Sequence, residues 1–140
     1  RKLKNVGTSA AVLSDLVKRL IEHLGQWCIE KVILSKQPDF IEKNQIILDA
    51  DKVGNIVLRY WKAGDRFSPR GINGSKKLAR VMRDLHISAG ERRIWPLVAD
   101  ENHIYWIAFL RGSNYGLPDK NTKKYLLITL KKENREDEES

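Results

Sequence analysis

A chain of 140 residues, 41% of them hydrophobic, is enough for one compact domain, with or without an appendage, and its core. The formal charge of +8 is unevenly spread: the last eight residues, ENREDEES, carry net −4, so the first 132 hold +12, with ten basic against three acidic side chains between Arg59 and Arg93. One cysteine, Cys28, and three separated histidines exclude an internal disulfide and a zinc cluster, and a longest apolar run of seven residues, IYWIAFL, excludes a membrane-spanning helix.

The expected setting is a reducing one, the cytoplasm, with a polyanion as the leading partner and no membrane. Arg1 stands where a methionine would open a complete chain, which leaves room for more chain upstream.

The clearest helical pattern runs from residue 8 to 24, where Val12, Leu13, Leu16, Val17, Leu20, Ile21 and Leu24 recur at three-to-four spacing. Thr8 or Ser9 can cap its start and Gly25 can end it. That stripe has to pack on its own domain, on a second copy or on a neighbouring domain. Residues 27–34 fit a continued helix or a strand equally, and Gln37-Pro38-Asp39 breaks either. Beyond that point the period becomes two. QIILDAD and NIVLRYW read as strands flanking a turn at residues 52–54, WPLVAD and HIYWIAFL as a hairpin around Glu101-Asn102, and KKYLLITL as a last strand. The expected class is α+β: a small, mostly antiparallel sheet of about five strands with one packed basic-faced helix, preceded by the N-terminal amphipathic helix. The expected organisation is a helical segment over 1–45, the α+β domain over 46–132 and a disordered acidic tail over 133–140.

The basic-faced helix is expected over residues 75–85, with Ser75 as its cap. At about 100° per residue, Arg80 and Arg83 fall close to Lys76 while Leu78, Val81, Met82 and Leu85 cover the opposite side. A loop containing Gly64, Gly71 and Gly74 precedes it, and a glycine loop leading to a helix start offers N–H groups to an anion. Nucleotide-loop spacings do not match, since Gly74 has no glycine five positions before it and no Lys-Ser after it. Asp65 is expected to hold the loop by Asx-type hydrogen bonds or by an arginine pair. Asp49 and Asp51 in LDAD would share a strand face, where Mg²⁺ is one reading and an exposed edge pair the commoner one. Cys28 reads as a core thiol. No serine has a nucleophile context, so no catalytic residue and no metal site is expected. Of Tyr60, Trp61, Trp95, Tyr105, Trp106 and Tyr115, one or two at most are expected at the surface.

The order Arg59, Gly64-Asp65-Arg66, Pro69, Gly71, Gly74, Lys76-Lys77-Leu78, Arg92, Trp95-Pro96, Ile104, Trp106 and Leu110-Arg111 resembles the C-terminal domain of bacterial tRNA(Ile)-lysidine synthetase over about residues 46 to 130. The resemblance implies a small α+β module that helps to hold tRNA, chiefly by the acceptor stem. It also implies a separate N-terminal domain, absent from this chain, that uses ATP and Mg²⁺ to join lysine to the wobble cytidine. No cofactor is then expected in these 140 residues. Carried over, Arg66, Lys76 and Lys77 would position the RNA backbone, and Asp65 with the glycines would shape the loop. With the helix cations added, the expected phosphate contacts are Arg66, Arg70, Lys76, Lys77, Arg80 and Arg83. Two departures stand out: Phe109 replaces a glycine usual in the family, and GSNYG after Arg111 lacks the charged residues common there. A structural or dimerisation domain, or a regulatory appendage of another protein, is the alternative, with residues 8–24 as the contact to a catalytic domain or to a second copy.

Overall fold

The computed structural model describes residues 27–132; the expected helix over 8–24 and the acidic tail lie outside the described residues. Nine strands and one α-helix form within them: β1 Trp27–Leu34, β2 Gln45–Asp49, β3 Val57–Arg59, β4 Arg66–Phe67, β5 Lys76–Lys77, α1 Leu78–Asp84, β6 Leu97–Ala99, β7 Ile104–Ile107, β8 Arg111–Gly112 and β9 Tyr125–Lys132. All pairings are antiparallel, in a three-stranded sheet β1-β9-β2, a four-stranded sheet β3-β6-β7-β8 and a two-stranded ribbon β4-β5. The α+β class therefore holds, with three small sheets in place of one of about five strands.

β9 explains most of that difference. Its residues alternate, with Leu126, Ile128 and Leu130 buried and their neighbours half-buried or, at Lys131, exposed, and it pairs on one side with all eight residues of β1 and on the other with β2. QIILD therefore pairs with a partner 76 to 84 residues on, and QIILDAD and NIVLRYW, expected as strands flanking a turn, do not pair with each other. A short 3₁₀ turn, residues 50–52, leads away from β2 instead. It also disposes of the Asp49/Asp51 pair. Asp49 is buried, its carboxylate accepting the Asp51 N–H at 2.9 Å and the Thr122 hydroxyl at 2.7 Å, so it caps a turn and does not face a common site with Asp51.

Residues 27–34, open between helix and strand in the sequence, are a strand. They belong to the same sheet as β9, so this part of the 1–45 segment is not helical. Cys28 lies exposed on that strand, opposite Lys131, and is no core thiol.

The second sheet holds the centre of the core. Every residue of β6 and β7 is buried, which on strands of alternating side chains means that both faces are covered. Trp95, fully enclosed just before β6, donates its indole N–H to the Ala108 carbonyl at 3.1 Å. Leu78, Val81 and Met82 of α1 join the same cluster.

Candidate nucleic-acid interface

The stretch from Arg59 to Leu85 is organised around Asp65. Arg59 donates from both Nη atoms to the two carboxylate oxygens at 2.9 and 3.1 Å, and the Lys62 N–H adds a third bond at 2.8 Å. The Asp65 carbonyl accepts the N–H of Leu78, the first residue of α1, at 2.9 Å. Burial pushes the Asp65 carboxyl up, but the hydrogen bonds from Arg59 and Lys62, with their charges, outweigh it and hold it below the usual carboxylate value. One residue thus ties the loop start, β3 and the helix start together.

Beyond Asp65 the chain forms the β4-β5 ribbon, with Arg66 opposite Lys77 and Phe67 opposite Lys76. The helix expected from Ser75 therefore begins at Leu78, with Lys77 in extended conformation as its cap residue and no side-chain cap. Ser75 is used otherwise. Its Oγ and carbonyl accept Arg66 Nε and Nη2 at 2.9 and 3.0 Å. Lys76 and Lys77 consequently lie on a strand and start on opposite faces, where the helical reading had put Lys76 on the cationic side of a helix with Arg80 and Arg83. Arg66 and Lys77 share a face, and Phe67, buried, turns to the other.

Gly64, Gly71 and Gly74 have φ of +91°, +84° and +82°, and a Cβ on any of them would meet nothing within 4 Å. They supply a left-handed backbone and not a close approach. Asn114 fixes the loop from outside: its Oδ1 accepts the Gly71 N–H at 2.9 Å, and its Nδ2 donates to the carbonyls of Pro69 and Ile72 at 2.9 and 2.8 Å. Arg111 adds a bond from Nη2 to the Arg70 carbonyl at 2.9 Å. Sequence reasoning passed over Asn114 because GSNYG was read for charge; the usable signal was an amide side chain, which can pair with a loop's N–H and C=O groups at once.

Of the six cations expected at phosphates, Lys76, Lys77, Arg80 and Arg83 are exposed, and their side chains make no hydrogen bond or ion pair with the described residues. Arg80 and Arg83, at i and i+3, lie on the outward side of α1 while Leu78, Val81 and Met82 face in. Arg66 is exposed but oriented by Ser75. Arg70 folds back, its Nε 3.4 Å from the Ser113 carbonyl and its guanidinium over Gly112, where a Cβ would come within 2.8 Å of Nη2. Arg70 is thus set apart from the others.

Next to the ribbon lies a cleft of about 420 Å³, bounded by Lys62, Arg66 and Ser75 on one side and by residues 100–104 with Tyr115 on the other. Among the six tyrosines and tryptophans considered, Tyr60 and Tyr115 are exposed, at 43% and 42%, and Trp95, Tyr105 and Trp106 are buried. Trp61 is half-buried beneath the Arg92 guanidinium, 5.2 Å from its ring centre. No group of three or more metal-ligating side chains occurs among the described residues, and no helix among them is long and apolar enough to cross a membrane.

A tRNA(Ile)-lysidine synthase of Caldanaerobacter subterraneus subsp. tengcongensis is 40% identical over 81% of this chain and 25% of its own length, and one of Clostridium acetobutylicum is 40% identical over 65% and 20%. The chain thus spans about a quarter of the curated relatives it matches, or less. Among solved structures, a TilS C-terminal domain superposes with a TM-score of 0.65 at 24% identity, covering 77% of this chain and 85% of that one. An N-terminal fragment of the phenylalanyl-tRNA synthetase β-subunit from Pyrococcus horikoshii superposes at 0.52 with 15% identity, over 89% and 34%. Both likenesses speak for the fold. The model of the TilS substrate C-terminal domain matches residues 56–128, from the buried Ile56 before β3 into the middle of β9 and across the whole loop, ribbon and cleft, and the chain belongs to that family.

Proposed function

We propose that this chain is the tRNA-holding module of a tRNA(Ile)-lysidine synthase-type enzyme of the cytoplasm. It grips the RNA backbone, chiefly the acceptor stem, while an N-terminal domain outside these residues uses ATP and Mg²⁺ to attach lysine to the wobble cytidine. The observation that carries this reading is the set of exposed cationic side chains with no partner among the described residues, those of Lys76, Lys77, Arg80 and Arg83, on a ribbon and helix anchored by Asp65. Charges with no structural employment, held on a braced scaffold, suit phosphates, and a short helix and ribbon read shape and backbone more readily than base edges in an RNA duplex. Arg66 joins them as an oriented donor, and Arg70 contributes least because its side chain is bound to the protein. We include β1 in the module, upstream of residue 46, because β1 pairs with β9 along its whole length.

The test is tRNA binding across a salt series. Replacing Lys76, Lys77 and Arg80 by alanine should weaken binding and make the slope of log K against log salt shallower by about 2 to 3. Circular dichroism should not change, since all three side chains are exposed. Equal affinity and slope in the triple variant would overturn the assignment.

Val32 and Ile33 of β1, with Phe40 and Ile41 just beyond, are exposed apolar residues. They favour a second, docking role toward the rest of the parent enzyme or a second copy. Concentration-dependent mass in light scattering would support self-association, and a constant monomer mass would leave the parent enzyme as the occupant.

A further inference from the structure

We propose that the cleft beside the β4-β5 ribbon receives one unpaired nucleotide of the RNA held on that ribbon, its base on Tyr115 and its phosphate on Lys62 and Arg66. The inference rests on the RNA-binding reading above. Its own support is the contrast between the two walls. On the ribbon side the Lys62 ammonium makes no hydrogen bond or ion pair among the described residues, its charge acting only at longer range on Asp65, and Arg66, held by Ser75 through Nε and Nη2, keeps Nη1 unbonded among them. Arg59 and Asp65 cancel each other in their bidentate pair, so the charge left on this wall is positive.

On the far side the turn at residues 100–103 presents Glu101 and Asn102, whose side chains bond to nothing among the described residues. The other acid, Asp100, is consumed by four donors. Tyr115 stacks on His103 with ring centres 3.8 Å apart and planes at 24°. A tyrosine held in a stack yet 42% exposed is a ready platform for a flat, apolar face, because its ordering cost has already been met within the fold. Carboxylate and amide groups at the turn suit the edge of a base, which offers donors and acceptors together. A space of about 420 Å³ lies in the range of small-ligand sites and is too small for a base pair with its backbones. The ligand is therefore a single unstacked nucleotide, and Arg66, common to cleft and ribbon, makes it a neighbour of the bound duplex.

The experiment measures binding of the full 140-residue chain to an RNA hairpin that is blunt or carries one unpaired 2-aminopurine nucleotide at the 3′ or the 5′ end. The expected result is about tenfold tighter binding with one of the two ends, with 2-aminopurine fluorescence quenched on binding. Tyr115→Phe should keep both effects, and Tyr115→Ala should lose both while binding the blunt hairpin as the unaltered chain does, with the same salt slope. Lys62→Ala should make the slope for the extended hairpin shallower by about 1 and leave that for the blunt one alone. Equal binding of all three hairpins, or a tenfold gain that survives Tyr115→Ala, overturns the cleft assignment and leaves the backbone reading standing. Failure of every hairpin to bind overturns both.

Discussion

Phe109 holds a φ of +71° with its ring only 8% exposed. The left-handed region costs a residue with a Cβ about 1 to 2 kcal/mol, and the turn it closes, with the Leu110 N–H on the Ile107 carbonyl at 2.9 Å, would take glycine without that strain. The ring is what offsets it. Phe109 meets Trp27 edge-on at 5.8 Å and Trp106 at 6.0 Å, so it links β1 to the second sheet. Removing a buried phenylalanine side chain costs about 3 to 5 kcal/mol, which exceeds the relief of strain. Phe109→Gly should therefore destabilise the fold by about 2 kcal/mol, and Phe109→Ala by about 1 kcal/mol more, since alanine keeps the strain and loses the ring. Urea unfolding of the three proteins gives the order directly, and a Phe109→Gly protein as stable as the original would show that the backbone term dominates.

At the level of elements, the β6-β7 hairpin is built on an acid. Asp100 accepts the N–H groups of Gly54, Asn102 and His103 at 2.8, 2.8 and 2.9 Å and the Tyr105 hydroxyl at 2.6 Å. Tyr105 reaches it because the register slips between Val98 and Ala99, which face Trp106 and Ile104 and leave Tyr105 without a partner on β6. Burial raises the Asp100 carboxyl, but the four donors outweigh it and bring it down to about 2. Burial, with the bond to Asp100, pushes Tyr105 well above its usual value. The carboxylate is thus more acidic folded than unfolded, so its contribution is complete above about pH 4 and is lost as pH falls toward 2, worth about 2 kcal/mol. Tyr105 works in the opposite sense, its contribution present below about pH 10 and lost as pH rises further. Asp100→Asn should remove the Asp100 share at neutral pH and flatten the acid limb of a stability-versus-pH curve between about pH 4 and 2. An unchanged acid limb would place the acid sensitivity elsewhere. This hairpin was legible in the sequence because WPLVAD and HIYWIAFL are adjacent and local turn chemistry joins them. The β4-β5 ribbon was not, since a two-residue strand has no period to detect, and GSKKLARVMRDL satisfies the helical spacing from its third residue onward. Lys76 and Lys77 were thus found as cations and misplaced as structure, while the charge on Arg80 and Arg83 was placed on the correct face of α1.

For the whole molecule, the long-range partner of β9 decides where the domain begins. The sequence-based boundary at 45/46 follows the extent of the family resemblance and takes no account of β1. With β2 and β1 on the two sides of β9, cutting at 46 removes one complete flank of the three-stranded sheet. It also removes the Trp27 ring from Phe109 and the ammonium of Lys31 from the Ile56 carbonyl, which it reaches at 3.0 Å. The chain from 46 onward would expose the full edge of an eight-residue strand to other copies. Burial of Trp27 and Ile29 alone is worth roughly 3 kcal/mol, which for a domain of this size corresponds to a fall of about 10 to 20 °C in Tm. A chain begun at residue 46 should melt at least about 10 °C below one begun at Trp27, with light scattering rising as concentration increases. Because the cations of β5 and α1 lie on the ribbon and helix, outside the three-stranded sheet, tRNA affinity measured well below the melting temperature should fall less than stability does. Equal melting of the two shortened chains would show that β1 is an appendage to the module, and the start of the domain would move back to β2.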